Sequence, residues 1–239
     1  MNPEEITREL QLREDPIRAR HSLRYFKTAP GEYAEGDRFL GIRVPEIRNL
    51  AKKYKNISID DSFELLTSEI HEIRLLSLFI LVKHAEKPAL REIVARRYLE
   101  NTRFINNWDL VDSSASQIVG SWLFNDLESP QERESVLDKL SESELLWDRR
   151  ISIISTLYFI KKNEFSLTLR LCRKLLGDHH DLIHKATGWM LREVGKIDLN
   201  TELEFLNVNY SIMPRTMLRY SIEKFPEPLR QQYLKGEIS

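Results

Sequence analysis

A single cysteine, Cys172, stands among 239 residues, so no disulfide can form within the chain. It falls in the run LTLRLCRKLL, where it reads as a small buried hydrophobe. Glycine and proline are also scarce, at eight and nine, and no stretch is of low complexity. That excludes long disordered tails and a string of separate modules. Long apolar runs are absent too: LLSLFILV is closed by Arg74 on one side and Lys83 on the other. A membrane span needs about 18 apolar residues or more, and no basic-then-apolar leader opens the chain, so a soluble, cytoplasmic protein with no membrane attachment is expected. Strand-type alternation is missing over any useful length, which leaves an all-α chain.

Net charge is nearly absent as well, at −1, and on its face this argues against a polyanion-binding protein. Its distribution argues otherwise. Arg20 to Lys55 holds nine Lys or Arg against four Asp or Glu, and Leu145 to Lys196 holds ten against five. Each segment is therefore +5, and the remainder carries the compensating −11. Solvated helix faces would give such a pattern; so would a basic face able to hold a polyanion.

What is present is a repeat. Apolar helical runs are led by Arg74, Asp112, Arg150 and Lys185, at intervals of 38, 38 and 35 residues. A period of that size marks stacked helix pairs of HEAT-like type, in which equivalent positions line up about 10 Å apart along one face. The expectation is one repeat domain over residues 1–239. Helices are predicted near 3–13, 15–27, 45–55, 61–68, 71–84, 88–100, 106–124, 130–141, 145–162, 164–176, 180–196, 200–209 and 214–224. Pro45, Pro88, Pro130 and Pro214 suit first-turn positions, and Ser129 suits a cap. Thr28 to Val44 is the longest irregular stretch and reads as a connection between helices, since it lacks the GxxxxGK[ST] pattern of a phosphate cradle. Gly120 and Gly188 lie inside helical runs at a cost of ~1 kcal/mol each against Ala, which close helix approach would explain.

Candidate chemistry follows from helical spacing. Trp108 and Asp112 are four apart; Lys185, Trp189 and Arg192 share a face of a later helix. A carboxylate among indoles keeps its charge only beside a cation, and Arg150 is the nearest equivalent position. Taken alone, Asp112 also fits a capping or surface carboxylate, and Trp122 and Trp147 read as core. His179, His180 and His184 cluster, but no general base follows in the HExxH manner, so no metal site is expected and the cluster reads as polar surface at a helix start. Ser113 and Ser114 lack the context of a nucleophile.

Several long segments carry a family resemblance. Arg24-YFKTAPGEYAEGDRFLGIRVPEIRNLAKKY, Asn106-NWDLVDSSA, Leu146-WDRRISIIS and His184-KATGWMLREVGK resemble, in order and spacing, the AlkD-like DNA glycosylases of the DNA alkylation repair family. The resemblance runs from about Arg20 to Lys196. It implies a right-handed α-α superhelix that grips double-stranded DNA in a basic concave groove and releases N3- and N7-alkylated purines by cleaving the N-glycosidic bond. It assigns Asp112 as the catalytic carboxylate, Trp108 and Trp189 as active-site indoles and Arg150 as the active-site arginine, with Arg149 the weaker claimant. Tyr25, Arg48, Lys185 and Arg192 become DNA contacts. The longer Pro-Gly-Glu-Tyr loop departs from some members, which leaves the contacts of residues 28–42 open. No cofactor, metal or obligate protein partner is implied, and a monomer is expected.

These residue types suit that chemistry. An N3- or N7-alkylpurine is already cationic and leaves without a general acid, creating an oxocarbenium-like sugar. A fixed carboxylate can oppose that charge or orient water, while indole faces contact the cationic sugar and base. Most glycosylases extrude the base; the resemblance implies action without a flipping pocket, hence a shallow site. The rival readings are a DNA-binding paralogue without catalysis and a helical-repeat scaffold for protein partners.

Overall fold

The computed structural model describes Asn2 to Ile238, and among these residues there is no strand. Arg38 and Ile70 form an isolated β-bridge. The helices are α1 (Pro3–Gln11), α2 (Pro16–Tyr25), α3 (Val44–Lys53), α4 (Ile59–Leu66), α5 (His71–Ala85), α6 (Pro88–Glu100), α7 (Trp108–Asp112) and α8 (Ser121–Asn125). There follow α9 (Pro130–Ser141), α10 (Leu146–Ser155), α11 (Leu157–Ile160), α12 (Ser166–Lys174), α13 (Asp181–Gly195), α14 (Leu199–Asn209), α15 (Arg215–Ser221) and α16 (Glu227–Lys235). The all-α expectation holds. No helix among the described residues is long and apolar enough to cross a membrane.

Two compact units divide the chain, Met1–Trp122 and Leu123–Ser239. The first is built on α5, whose apolar residues run all round the helix, so that thirteen of its fifteen residues are buried. Leu76, Leu78, Ile80 and Leu81 are wholly enclosed, and each such side chain contributes about 1.5–3 kcal/mol on leaving water. The second unit is built on α13, which packs against α10, α14 and α15. Gly188 explains part of that packing: a Cβ there would lie 2.3 Å from the Met217 carbonyl oxygen and 2.7 Å from Tyr220 Cβ, both on α15. Trp122, Trp147 and Cys172 are buried, as expected, and burial pushes the Cys172 thiol far up.

Three expectations need correction. The predicted helix over 106–124 is interrupted: α7 is a single turn, and a π-type turn at Ser116–Gly120 separates it from α8. The predicted helix over 145–162 breaks at Thr156 between α10 and α11. At the C-terminal end α16 forms where no helix was predicted. Helix starts fare better: Pro88 and Pro130 open their helices, Ser129 Oγ accepts from the Glu132 N–H, and Pro214 stands one residue ahead of α15.

Candidate functional site

In the first unit the site is built on the Trp-Asp-Leu-Val-Asp turn. The Asn107 side chain, wholly buried, caps α7 by accepting from the Trp108 N–H at 2.8 Å. Trp108 and Asp112 then stand at the two ends of one helical turn, both half-buried. Aromatic rings support the indole from α2. Phe26 lies 5.6 Å from Trp108 between centroids, and Tyr25, 66 % exposed, meets it edge-on at 6.0 Å. The irregular segment Thr28 to Val44 does more than connect helices. Its Phe39 stacks on Phe26 at 5.2 Å and on His71 at 4.6 Å. Burial pushes the Tyr33 phenol up, and a hydrogen bond with the Trp108 side chain pulls it the other way.

Beneath the rings lies a buried ionic network. His71 Nε2 donates to Asp109 Oδ2 at 2.8 Å, and its Nδ1 faces Asp37 Oδ2 at 3.4 Å. Asp37 also pairs with Arg74 at 2.8 Å and accepts from Asn106 Nδ2 at 3.0 Å. Burial works against the His71 charge, but the Asp109 carboxylate and then Asp37 outweigh it and raise the imidazole to about 9. Burial likewise opposes the Asp37 charge, and His71, Arg74 and Asn106 outweigh it, holding this carboxyl below its ordinary range. Glu72 ties the segment to α5 by accepting from the Leu40 and Gly41 N–H groups at 2.9 and 2.7 Å. A cleft of about 540 Å³ opens beside the network, bounded by Tyr25, Phe26, Phe39, Val44, His71 and Asp109.

Arg48, on α3, is exposed, with its guanidinium 4.2 Å from the Phe79 ring centre and no ion pair among the described residues. Arg74, which leads its apolar run in the repeat register, is buried.

In the second unit α13 carries Lys185, Trp189 and Arg192 on one continuous helix, as their spacing requires. Each already holds a carboxylate. Lys185 pairs with Asp181 at 2.7 Å, Trp189 Nε1 donates to Glu193 Oε1 at 2.8 Å, and Arg192 pairs with Glu223. Arg150 is only 4 % exposed, and it donates to the Leu182 carbonyl at 2.5 Å. Arg149 binds Asp178 at 2.7 Å. The histidine cluster opens the same helix: His180 Nδ1 accepts from the Leu182 N–H as the cap, and His184 Nε2 lies 2.6 Å from the Asp178 carbonyl oxygen.

His71, Asp37, Asn106, Phe26 and Phe39 went unread in the sequence, as did Asp109 within its motif. A signal was available. His71 and Asp109 are 38 residues apart, the interval that separates Arg74 from Asp112, so repeat stacking brings both pairs of positions into register.

A family model described as DNA alkylation repair enzyme matches residues 6–225. Among curated proteins, none matches significantly. Three solved structures share the fold. A protein of Enterococcus faecalis described as a predicted DNA alkylation repair enzyme superposes with a TM-score of 0.66 at 16 % identity, over 90 % of this chain and 97 % of that one. AlkD2 from Streptococcus mutans gives 0.53 at 16 %, over 78 % and 91 %; smu.31 from Streptococcus mutans UA159 gives 0.52 at 17 %, over 77 % and 93 %. At these identities the structures speak to fold, and the family model, spanning nearly the whole chain, speaks to kinship: the chain belongs to the DNA alkylation repair enzyme family.

Proposed function

We propose that the protein is a DNA glycosylase that excises cationic N3- and N7-alkylated purines from duplex DNA. The observation that carries the reading is the single turn of α7, with Trp108 at its start packed on Phe26 and Tyr25 and Asp112 at its end. Asp112 is the carboxylate that opposes the oxocarbenium-like sugar, and Trp108 and Trp189 supply indole faces to the cationic sugar and base. The base leaves as a neutral purine carrying the former glycosidic electrons, and water adds to the sugar carbon and gives up one proton to solvent. No metal or cofactor enters these steps. Incubation with a duplex containing one N7-methylguanine should release that base faster than the uncatalysed control. Duplex binding without release would leave a DNA-binding paralogue, and absence of both would leave a protein scaffold.

Tyr25, Arg48, Lys185 and Arg192 are the proposed DNA contacts. Arg150 is better suited to positioning, because its guanidinium is buried against the Leu182 carbonyl in the first turn of α13. Salt titration separates these roles. Arg48→Ala should reduce the magnitude of the salt slope by about one unit, and Arg192→Ala, whose guanidinium shares its charge with Glu223, by a smaller amount, on undamaged and damaged duplexes alike. Arg150→Ala should leave the slope unchanged while depressing excision. Wild-type slopes in both Arg48 and Arg192 variants would remove the phosphate-contact assignment.

A further inference from the structure

The buried network under Trp108 has no part in the excision steps described above, yet it touches the elements that carry and support Trp108 and Asp112. Asp109 sits between Trp108 and the rest of α7, and its carboxylate is held by His71 from α5. Phe26 and Phe39 pack against the imidazole ring, at 5.0 and 4.6 Å between centroids, and Phe26 also packs on Trp108. One imidazole therefore joins α5, the Thr28–Val44 segment, α2 and α7 at a single point.

We propose that His71 is a positioning residue for excision: by clamping Asp109 it fixes the one-turn helix that presents Trp108 and Asp112, an inference that rests on reading those two as the excision pair. A helix of one turn has almost no hydrogen bonding of its own to set its orientation, so its direction is imposed from outside. Asn107 caps it, Phe26 and Tyr25 pack on its Trp108, and the His71–Asp109 bond is the buried charged contact at its first turn.

The clamp is strongest with a charged imidazole, which alone can donate from both ring nitrogens, to Asp109 and towards Asp37. The groups that face or flank it are Asp109 from α7, Asp37 from the preceding segment, and Arg74 and Glu72 from α5 itself. With its folded value near 9 against 6.5 in the open chain, the stabilisation is complete below pH about 6.5 and is lost as pH rises through about 9. Deprotonation would leave Asp109 with a neutral partner and slacken α7.

The test uses the full chain labelled with 5-fluorotryptophan, the Trp108 signal being assigned by its loss in Trp108→Phe. In wild type that signal should move with a midpoint near pH 9, and the single-turnover excision rate, corrected for uncatalysed loss, should fall with the same midpoint. Asp109→Asn keeps the shape but removes the charge, so both midpoints should shift down by at least one pH unit. His71→Gln, where it folds, should abolish the break and lower excision about tenfold at pH 7.5, with duplex affinity within threefold. A Trp108 signal that shows no break between pH 7 and 10, or a midpoint unmoved by Asp109→Asn, overturns the inference. The fluorine readout needs no activity: a wild type that excised nothing would defeat the glycosylase reading and still decide whether His71 fixes Trp108.

Discussion

Asp112→Asn is expected to lower the single-turnover rate of N7-methylguanine excision by about 10²- to 10³-fold while leaving duplex affinity within a few-fold. The amide has nearly the shape of the carboxylate, so the turn of α7 and the stacking of Trp108 should persist. What is removed is a negative charge beside a developing cation. A preorganised charge of this kind is worth about 3–4 kcal/mol of barrier, which sets the expected factor. Because the charge acts on the sugar only as the bond breaks, the loss should appear in the chemical step and hardly at all in Kd. Excision at close to the wild-type rate would remove Asp112 from the chemistry and leave the half-buried carboxylate a structural role.

The second large effect is structural. Gly41→Ala should destabilise the protein by about 2–5 kcal/mol. Gly41 has φ +78°, where a side chain costs ~1–2 kcal/mol, and an added Cβ would lie 2.4 Å from the Asp15 carbonyl oxygen and 2.5 Å from the Ala19 N. Those are backbone atoms at the start of α2, which cannot yield by a rotamer change, so a further ~1–3 kcal/mol of overpacking follows. At roughly 2–4 °C per kcal/mol for a chain of this size, Tm should fall by about 4–20 °C. The displaced helix is the one that ends in Tyr25 and leads into Phe26, so excision should suffer beyond the loss of stability. A melt within 2 °C of wild type would show that α2 can move away from Gly41 at little cost.

Much of the helical plan is legible in the sequence. Apolar periodicity and first-turn prolines locate most helices, the repeat interval singles out Arg74, Asp112, Arg150 and Lys185, and helical spacing adds Trp108, Trp189 and Arg192 as candidates. The interruptions were hidden because their cause is local side-chain competition, which leaves the hydrophobic pattern intact. Ser113 and Ser114 Oγ bond back to the Leu110 carbonyl, Ser121 Oγ to Gln117, and Ser155 and Thr156 to Ile151 and Ile153. Such bonds divert or bend a helix at the carbonyls they capture. Pro226 and Pro228 flank Glu227 with the signature of a break, yet Pro228 falls in the first turn of α16, where its missing N–H costs nothing, and Tyr233 anchors the helix by burial. The ionic network escaped for another reason. Charged residues at 37, 71 and 74 look like surface positions until tertiary packing supplies each with a partner.

The pairing of Lys185 with Asp181 and of Arg192 with Glu223 bears on how such a protein would move along a genome. At these proposed contacts a phosphate competes for its cation with a carboxylate already in place. The net gain per contact is small and the resident carboxylate stands ready to retake the cation, which favours short dwell times on intact sequence. A repair protein that must pass a vast excess of undamaged base pairs spends its time in that search, and side chains already occupied on arrival let it leave quickly.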